Sequence, residues 1–177
     1  MKYLITIIMS LFMATSAMAS PTETIKTIID EVKMRDTVQT LDDHLDKERI
    51  GNYILGRTNY AKKKDIFDKY IVSRLASHIE QYQDVEIIIL GEFSKGSFDF
   101  VDARTNTNLQ LEFRLRDNLL VDIKIEGLSL ARSIREEFKS VLQRSDLEEL
   151  ARIMESHNGW RYNINNVYNR LLDLHSR

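Results

Sequence analysis

The side chains that could do chemistry in this sequence are few and scattered. The segment Gly127-Leu128-Ser129-Leu130-Ala131 puts a serine where a strand gives way to a helix, the position of a nucleophile elbow. Ala131 stands where that motif needs its second glycine, so Ser129 reads as a helix cap. His44, His78, His157 and His175 lack metal-ligand spacing, and no metal site is expected. Asp65 and Asp68 share a helix face but lie among lysines, which fits a solvated face better than an acid–base pair. Asp122 and Glu126 alternate with apolar residues and are expected to make structural pairs. Lys62-Lys63-Lys64 opens a helix, where the macrodipole disfavours cations; the run is either a solvated charge patch or a contact for phosphate or an anionic membrane. Tyr70 is the one obvious polar handle on an apolar helix stripe. No catalytic set emerges.

Those residues must be placed by a fold that composition already narrows. The 177 residues are 43% apolar and suffice for one domain with a sizeable core. A net charge of −2 gives no reason to expect nucleic acid as a partner. Met1 and Lys2 open a short basic start, Leu4 to Ala14 are almost unbroken in apolarity, and Ala17-Met18-Ala19 is an A-x-A cleavage site. We therefore expect residues 1–19 to be a signal peptide cleaved after Ala19, residues 20–177 to be a single domain, and function to lie outside the cytoplasm. The apolar run is too short for a convincing membrane span. With no cysteine, the exported chain depends on its core rather than on disulfides.

Periodicity predicts helices first. Ile25, Ile28, Ile29 and Val32 recur at helical spacing, a short helix fits Lys47 to Leu55 before Gly56, and a longer one fits Ala61 to Tyr82. The longer helix carries an apolar stripe of Ile66, Phe67, Tyr70, Ile71, Leu75 and Ile79. The period then falls to two. Val85 to Phe93 reads as a first strand, Phe98 and Phe100 flank Asp99, Leu109, Leu111, Phe113 and Leu115 alternate with polar residues, and so do Val121, Ile123 and Ile125. Helices return with Leu130, Ile134 and Phe138 on one side, a cap at Asp146, and an amphipathic stretch with Trp160, where Trp160 and Tyr162 fit a core anchor better than a membrane dock. The expected fold is α+β: a four-stranded antiparallel sheet with helices packed on one face.

The nine inward strand residues, Phe98 to Ile125, can either meet the helices flush or leave an elongated apolar cavity. Pattern alone does not separate these two arrangements.

The motifs carry a resemblance. Leu119-Leu120-Val121-Asp122-Ile123-Lys124-Ile125-Glu126-Gly127-Leu128-Ser129-Leu130 leads into a helix with Arg135-Glu136-Glu137-Phe138, and Tyr53-Ile54-Leu55-Gly56-Arg57 precedes a helix with Phe67, Tyr70, Ile71, Arg74 and Leu75. This arrangement, from about Asp43 to Met154, resembles the MlaC/toluene-tolerance family of periplasmic phospholipid-binding proteins. The resemblance implies a cone-shaped cup with a curved sheet. Its deep pocket would be lined by Phe67, Tyr70, Ile71, Leu75, Phe98, Phe100, Leu109, Leu111, Phe113, Leu115, Val121, Ile123, Ile125, Ile134 and Phe138. Lys62, Lys63 and Lys64 are then candidates for headgroup or membrane contact. It also implies a non-enzymatic monomer with phospholipid as cargo and no other cofactor. Such a carrier would run between an inner-membrane ABC transporter complex and an outer-membrane lipoprotein complex. Two rivals stay open: an enzyme of the same fold acting on an apolar small molecule, favoured by a buried Asp or His at the pocket floor, and a ligand-free structural partner, favoured by a filled core.

Overall fold

The computed structural model describes residues 19–80 and 84–156. Most of the expected signal peptide, the Trp160 segment, His157 and His175 lie outside them.

Five of the six helices among the described residues begin where the sequence supplies a side-chain cap; the helix that follows Gly56 has none. Ser20 accepts the Glu23 amide at 3.2 Å with Pro21 next in line, starting α1 (Pro21–Met34). Asp36 accepts the Val38 amide at 2.8 Å and starts α2 (Thr37–His44), an element the periodicity did not announce. Asp46 accepts the Arg49 amide at 2.9 Å and opens α3 (Lys47–Leu55), which ends at Gly56 with φ +77°. α4 (Arg57–Ile79) begins four residues before its expected start and bends at Lys63, whose backbone leaves the helical region at φ −126°. The three lysines therefore straddle a kink inside the helix rather than opening it. Ser129 accepts the Arg132 amide at 3.0 Å and caps α5 (Leu130–Leu142), and Asp146 accepts the Glu149 amide at 2.8 Å ahead of α6 (Leu147–Ser156).

Between α4 and α5 runs an antiparallel meander in the order β1-β2-β3-β4-β5. β1 is Ile87–Lys95, β2 Phe98–Thr105, β3 Gln110–Arg116 and β4 Leu119–Ile125; β5, Leu128–Ser129, adds a short fifth strand to the expected four. Asp117 and Asn118 both take positive φ, 53° and 61°, as a tight two-residue hairpin demands. The helices lie on one face of this curved α+β sheet. α1 rests on β1 and β2, α3 and α5 on β4, and α4 packs behind α3 and α2.

Two strand assignments need correction. Phe98 and Phe100 face away from the helices. Phe100 pairs with Arg114 across β2 and β3, while its neighbour Val101 pairs with Phe113 and turns inward. Phe100 is covered on the outer face by Phe93, stacked at 4.8 Å, and by the Arg114 guanidinium 5.3 Å from its ring; Arg114 also lies 4.7 Å over Phe98. The inner face of β2 carries the small residues Val101 and Ala103, because α1 lies directly on it. The second correction is at β4. The register shifts between Arg114 and Leu115, so Leu115 pairs with Leu120 while Phe113 still pairs with Ile123. Val121 is the extra residue of this bulge, and Leu120 takes the inward place expected of it.

Candidate functional site

A hollow lies between α1, the C-terminal half of α4 and the inner face of the sheet. It offers about 120 Å³ of room for the centres of water-sized molecules. Of the 19 described residues that line it, 16 are aliphatic or aromatic and the other three are Lys33, His78 and Thr105. The periodicity that builds α1 supplies one wall, because Ile25, Ile28, Ile29 and Val32 recur on one side of it. The opposite wall is the strand alternation: Leu111 and Phe113 on β3, Ile123 and Ile125 on β4. Leu75, His78 and Ile79 of α4 close the side.

Burial gives the hollow a direction. Ile25, Leu41, Phe113, Leu120 and Ile123 are buried and form the deep end. Lys33 is exposed, His78, Ile79, Val85, Ile87, Leu109, Leu111 and Ile125 are partly exposed, and these residues form the rim. The mouth thus opens where β1 begins, β2 gives way to β3, and β4 ends.

Of the expected lining residues, Leu75, Leu109, Leu111, Phe113, Ile123 and Ile125 border the hollow. The remainder do not. Phe98 and Phe100 are on the far face of the sheet. Phe67, Tyr70 and Phe138 instead form a run of touching rings between α4 and α5, with centroids 6.4 Å and 5.4 Å apart. Ile71, Ile134 and Val121 border only a void of about 20 Å³ beneath α3 and α5, and Leu115 is fully buried. The stripe on α4 is long enough to face two directions: its first half packs against α3 and α5, and only its last turns reach the hollow. The α1 wall was legible as a helical stripe but carried no sign of its role, since any core-facing helix shows the same spacing.

The polar residues around this core hold the fold together. Arg74 donates to Tyr70 and, at 2.8 Å, to Glu137, tying α4 to α5. Tyr60 donates to Asp68 at 2.9 Å; burial first, and then this bond, raises its pKa far above the usual phenol value. Lys64 also pairs with Asp68, and Lys63 reaches Glu148 on α6 at 2.7 Å. Two of the three lysines are thus paired within the chain, and Lys62 is exposed. Asp122, buried on β4, accepts the Ala131 amide at 3.0 Å and fixes the start of α5, and Glu126 accepts the Gln110 amide at 2.6 Å. α1 is fastened at both ends, by the Thr22 amide to Glu92 at 2.8 Å and by Glu31 to His44 at 3.2 Å.

Among the described residues His78 is the one histidine on the hollow. Burial, and then the charge of Arg74, lower its pKa to about 4, so the ring is neutral near pH 7. No carboxylate lines the hollow among the described residues, so His78 has no acid–base partner there. No group of three or more His, Cys, Asp or Glu among them could hold a metal ion, and no helix among them is long and apolar enough to cross a membrane.

The profile of the family described as MlaC protein matches residues 14–156. The chain belongs to the MlaC family. A solved structure of a phospholipid-binding protein from Ralstonia solanacearum, in complex with a phospholipid, superposes with a TM-score of 0.62 at 15% identity, covering 79% of this chain and 97% of that one. At that identity the likeness establishes the shared fold. No curated protein matches the chain. MlaC membership accounts for the distribution of motifs: the segment from Leu119 to Leu130 spans the β4 bulge, the Asp122 anchor and the α5 cap, which together set the angle between sheet and helix.

Proposed function

We propose that this MlaC family member is a non-enzymatic phospholipid carrier that holds acyl chains in the hollow between α1, α4 and the sheet. The observation that carries this reading is the lining itself, 16 apolar residues of 19, open at one end. Each methylene moved from a bilayer into water costs about 0.8 kcal/mol. Two acyl chains of some tens of methylenes therefore cost roughly 20 kcal/mol or more to transfer bare. Leucine, isoleucine and phenylalanine walls remove most of that cost without covalent chemistry.

The hollow in its present form suits a benzene-sized group, since an apolar cavity of about 150 Å³ takes benzene. Loading acyl chains therefore requires α1 to move outward. The Glu31–His44 and Thr22–Glu92 contacts are the bonds that would loosen, and both are polar links at or near the surface. We place the protein in the periplasm as a single-domain monomer of residues 20–177, released after cleavage at Ala19. There it would carry phospholipid between an inner-membrane ABC transporter complex and an outer-membrane lipoprotein complex. The stretch from Met1 to Ala19 and membership of the MlaC family support this placement.

The test is native mass spectrometry of protein purified from bacteria. Bound phospholipid at a defined stoichiometry is expected, and lipid-free protein in repeated preparations overturns the reading.

A further inference from the structure

Among the described residues three polar ones line the hollow, and the fold explains one of them. The Thr105 hydroxyl bonds Thr107 at 2.8 Å and accepts the Leu109 amide at 3.0 Å, which shapes the β2–β3 connection. Lys33 and His78 do nothing comparable for the lining. Lys33 stands in the last turn of α1, exposed and yet on the cavity wall, and among the described residues it forms no ion pair. Among the described residues it is the one cation on the lining. His78 reaches the same hollow from α4, half-buried, two turns beyond Ile71.

We propose that Lys33 and His78 form a polar collar at the mouth that receives the phosphodiester, and the adjoining ester oxygens, of a glycerophospholipid whose acyl chains occupy the hollow. This rests on the carrier reading above and adds to it the part of the lipid that is recognised. The chemistry is complementary in three respects. A diacyl lipid carries its phosphate within a few bonds of where its chains begin, so chains seated against Ile25 and Phe113 leave the phosphate near the rim. An ammonium at the edge of hydrocarbon walls can give a phosphate oxygen a charge-assisted hydrogen bond, which is stronger than a neutral one. A neutral imidazole offers one N–H to an oxygen without adding a second charge to be desolvated. The C-terminal end of α1 favours a cation on its own account.

Competition read by native mass spectrometry tests the collar. The probes are phosphatidylglycerol and diacylglycerol with identical palmitoyl chains, palmitate, and inorganic phosphate. The wild-type protein is expected to retain phosphatidylglycerol over diacylglycerol by about tenfold, the weight of one charge-assisted hydrogen bond. Lys33→Met keeps the aliphatic stem and loses the charge, and His78→Leu loses the N–H; each should cut that preference at least threefold. Lys33→Arg and His78→Gln, which keep a donor, should preserve most of it. Thermal melting confirms that the variants fold, and Lys33 is exposed enough for its variants to do so. An unchanged preference in Lys33→Met overturns the collar and leaves Lys33 as a partner of the helix dipole. Stronger retention of palmitate than of phosphatidylglycerol, or displacement of lipid by inorganic phosphate, also overturns the phosphodiester assignment. If the wild type retains neither diacyl lipid, it is the carrier reading that fails, a result distinct from equal retention of both.

Discussion

Phe113 and Ile123 stand opposite each other on β3 and β4, and both side chains enter the hollow below α1. A cross-strand pair in a filled core would meet a helix directly. This pair meets open space, so its size controls the capacity of the cup. Phe113→Trp adds bulk where nothing has to be displaced. We expect it to lower the stoichiometry of co-purified phospholipid at least severalfold while leaving the melting temperature equal or higher. Lipid mass spectrometry with calorimetry checks both halves, and undiminished lipid would show that the chains lie elsewhere.

The opposite face gives the complementary experiment. Phe100 is 6% exposed but covered by Phe93 and Arg114 rather than by helices. Phe100→Ala should cost about 3 kcal/mol in denaturant unfolding, as large-to-small changes of buried aromatics do. The folded variant should retain its lipid. Loss of lipid from well-folded Phe100→Ala would contradict the register of β2 on β3.

Acid should weaken the protein through His78. Its pKa is lowered to about 4 in the folded chain, against 6.5 for a free histidine. Between those values the unfolded chain binds the proton that the folded chain refuses. Stability from this group is therefore complete above pH 6.5, declines as pH falls, and is gone below pH 4. The loss amounts to at most about 3 kcal/mol. His78→Gln should flatten this part of the profile, so chemical denaturation of both proteins at pH 7 and pH 4.5 should show a smaller difference in the variant.

Gly51 lies on α3 against Tyr60 of α4, and a Cβ at Gly51 would sit 2.2 Å from the tyrosine ring. Tyr60 is 4% exposed, packed edge-on to Phe67 at 5.7 Å and bonded to Asp68, so it has no room to retreat. Gly51→Ala is expected to destabilise by about 1–3 kcal/mol, although alanine is the better helix former. A neutral or stabilising result in thermal unfolding would show that the α3–α4 contact is looser than described.

The sequence predicted α3 to the residue, with Gly56 as its stop. It also carried the strand alternation of β3 and the caps at Ser129 and Asp146. The failures have specific causes. β2 has apolar residues on both faces, and its two phenylalanines outweigh Val101 and Ala103 in any count of hydrophobicity. Only the presence of α1 overhead explains why the small pair faces inward. The bulge at Val121 moves one residue out of phase, and nothing local announces it, since Leu120 and Val121 are equally suited to either place. α2 is short and mostly polar, so its cap preceded no visible stripe. The lining itself was half legible: strand alternation identified Leu111, Phe113, Ile123 and Ile125, but the division of the α4 stripe between two neighbours is a fact of tertiary packing.

Val101 and Ala103 do not border the hollow, yet they govern it. They act as shims: α1 rests on β1 and β2 over this small pair, and the gap lies over the larger residues of β3 and β4. The size of the hollow is therefore set in part by side chains that do not line it. A lineage or an engineer could resize the vessel at Ala103 while every wall residue stays as it is.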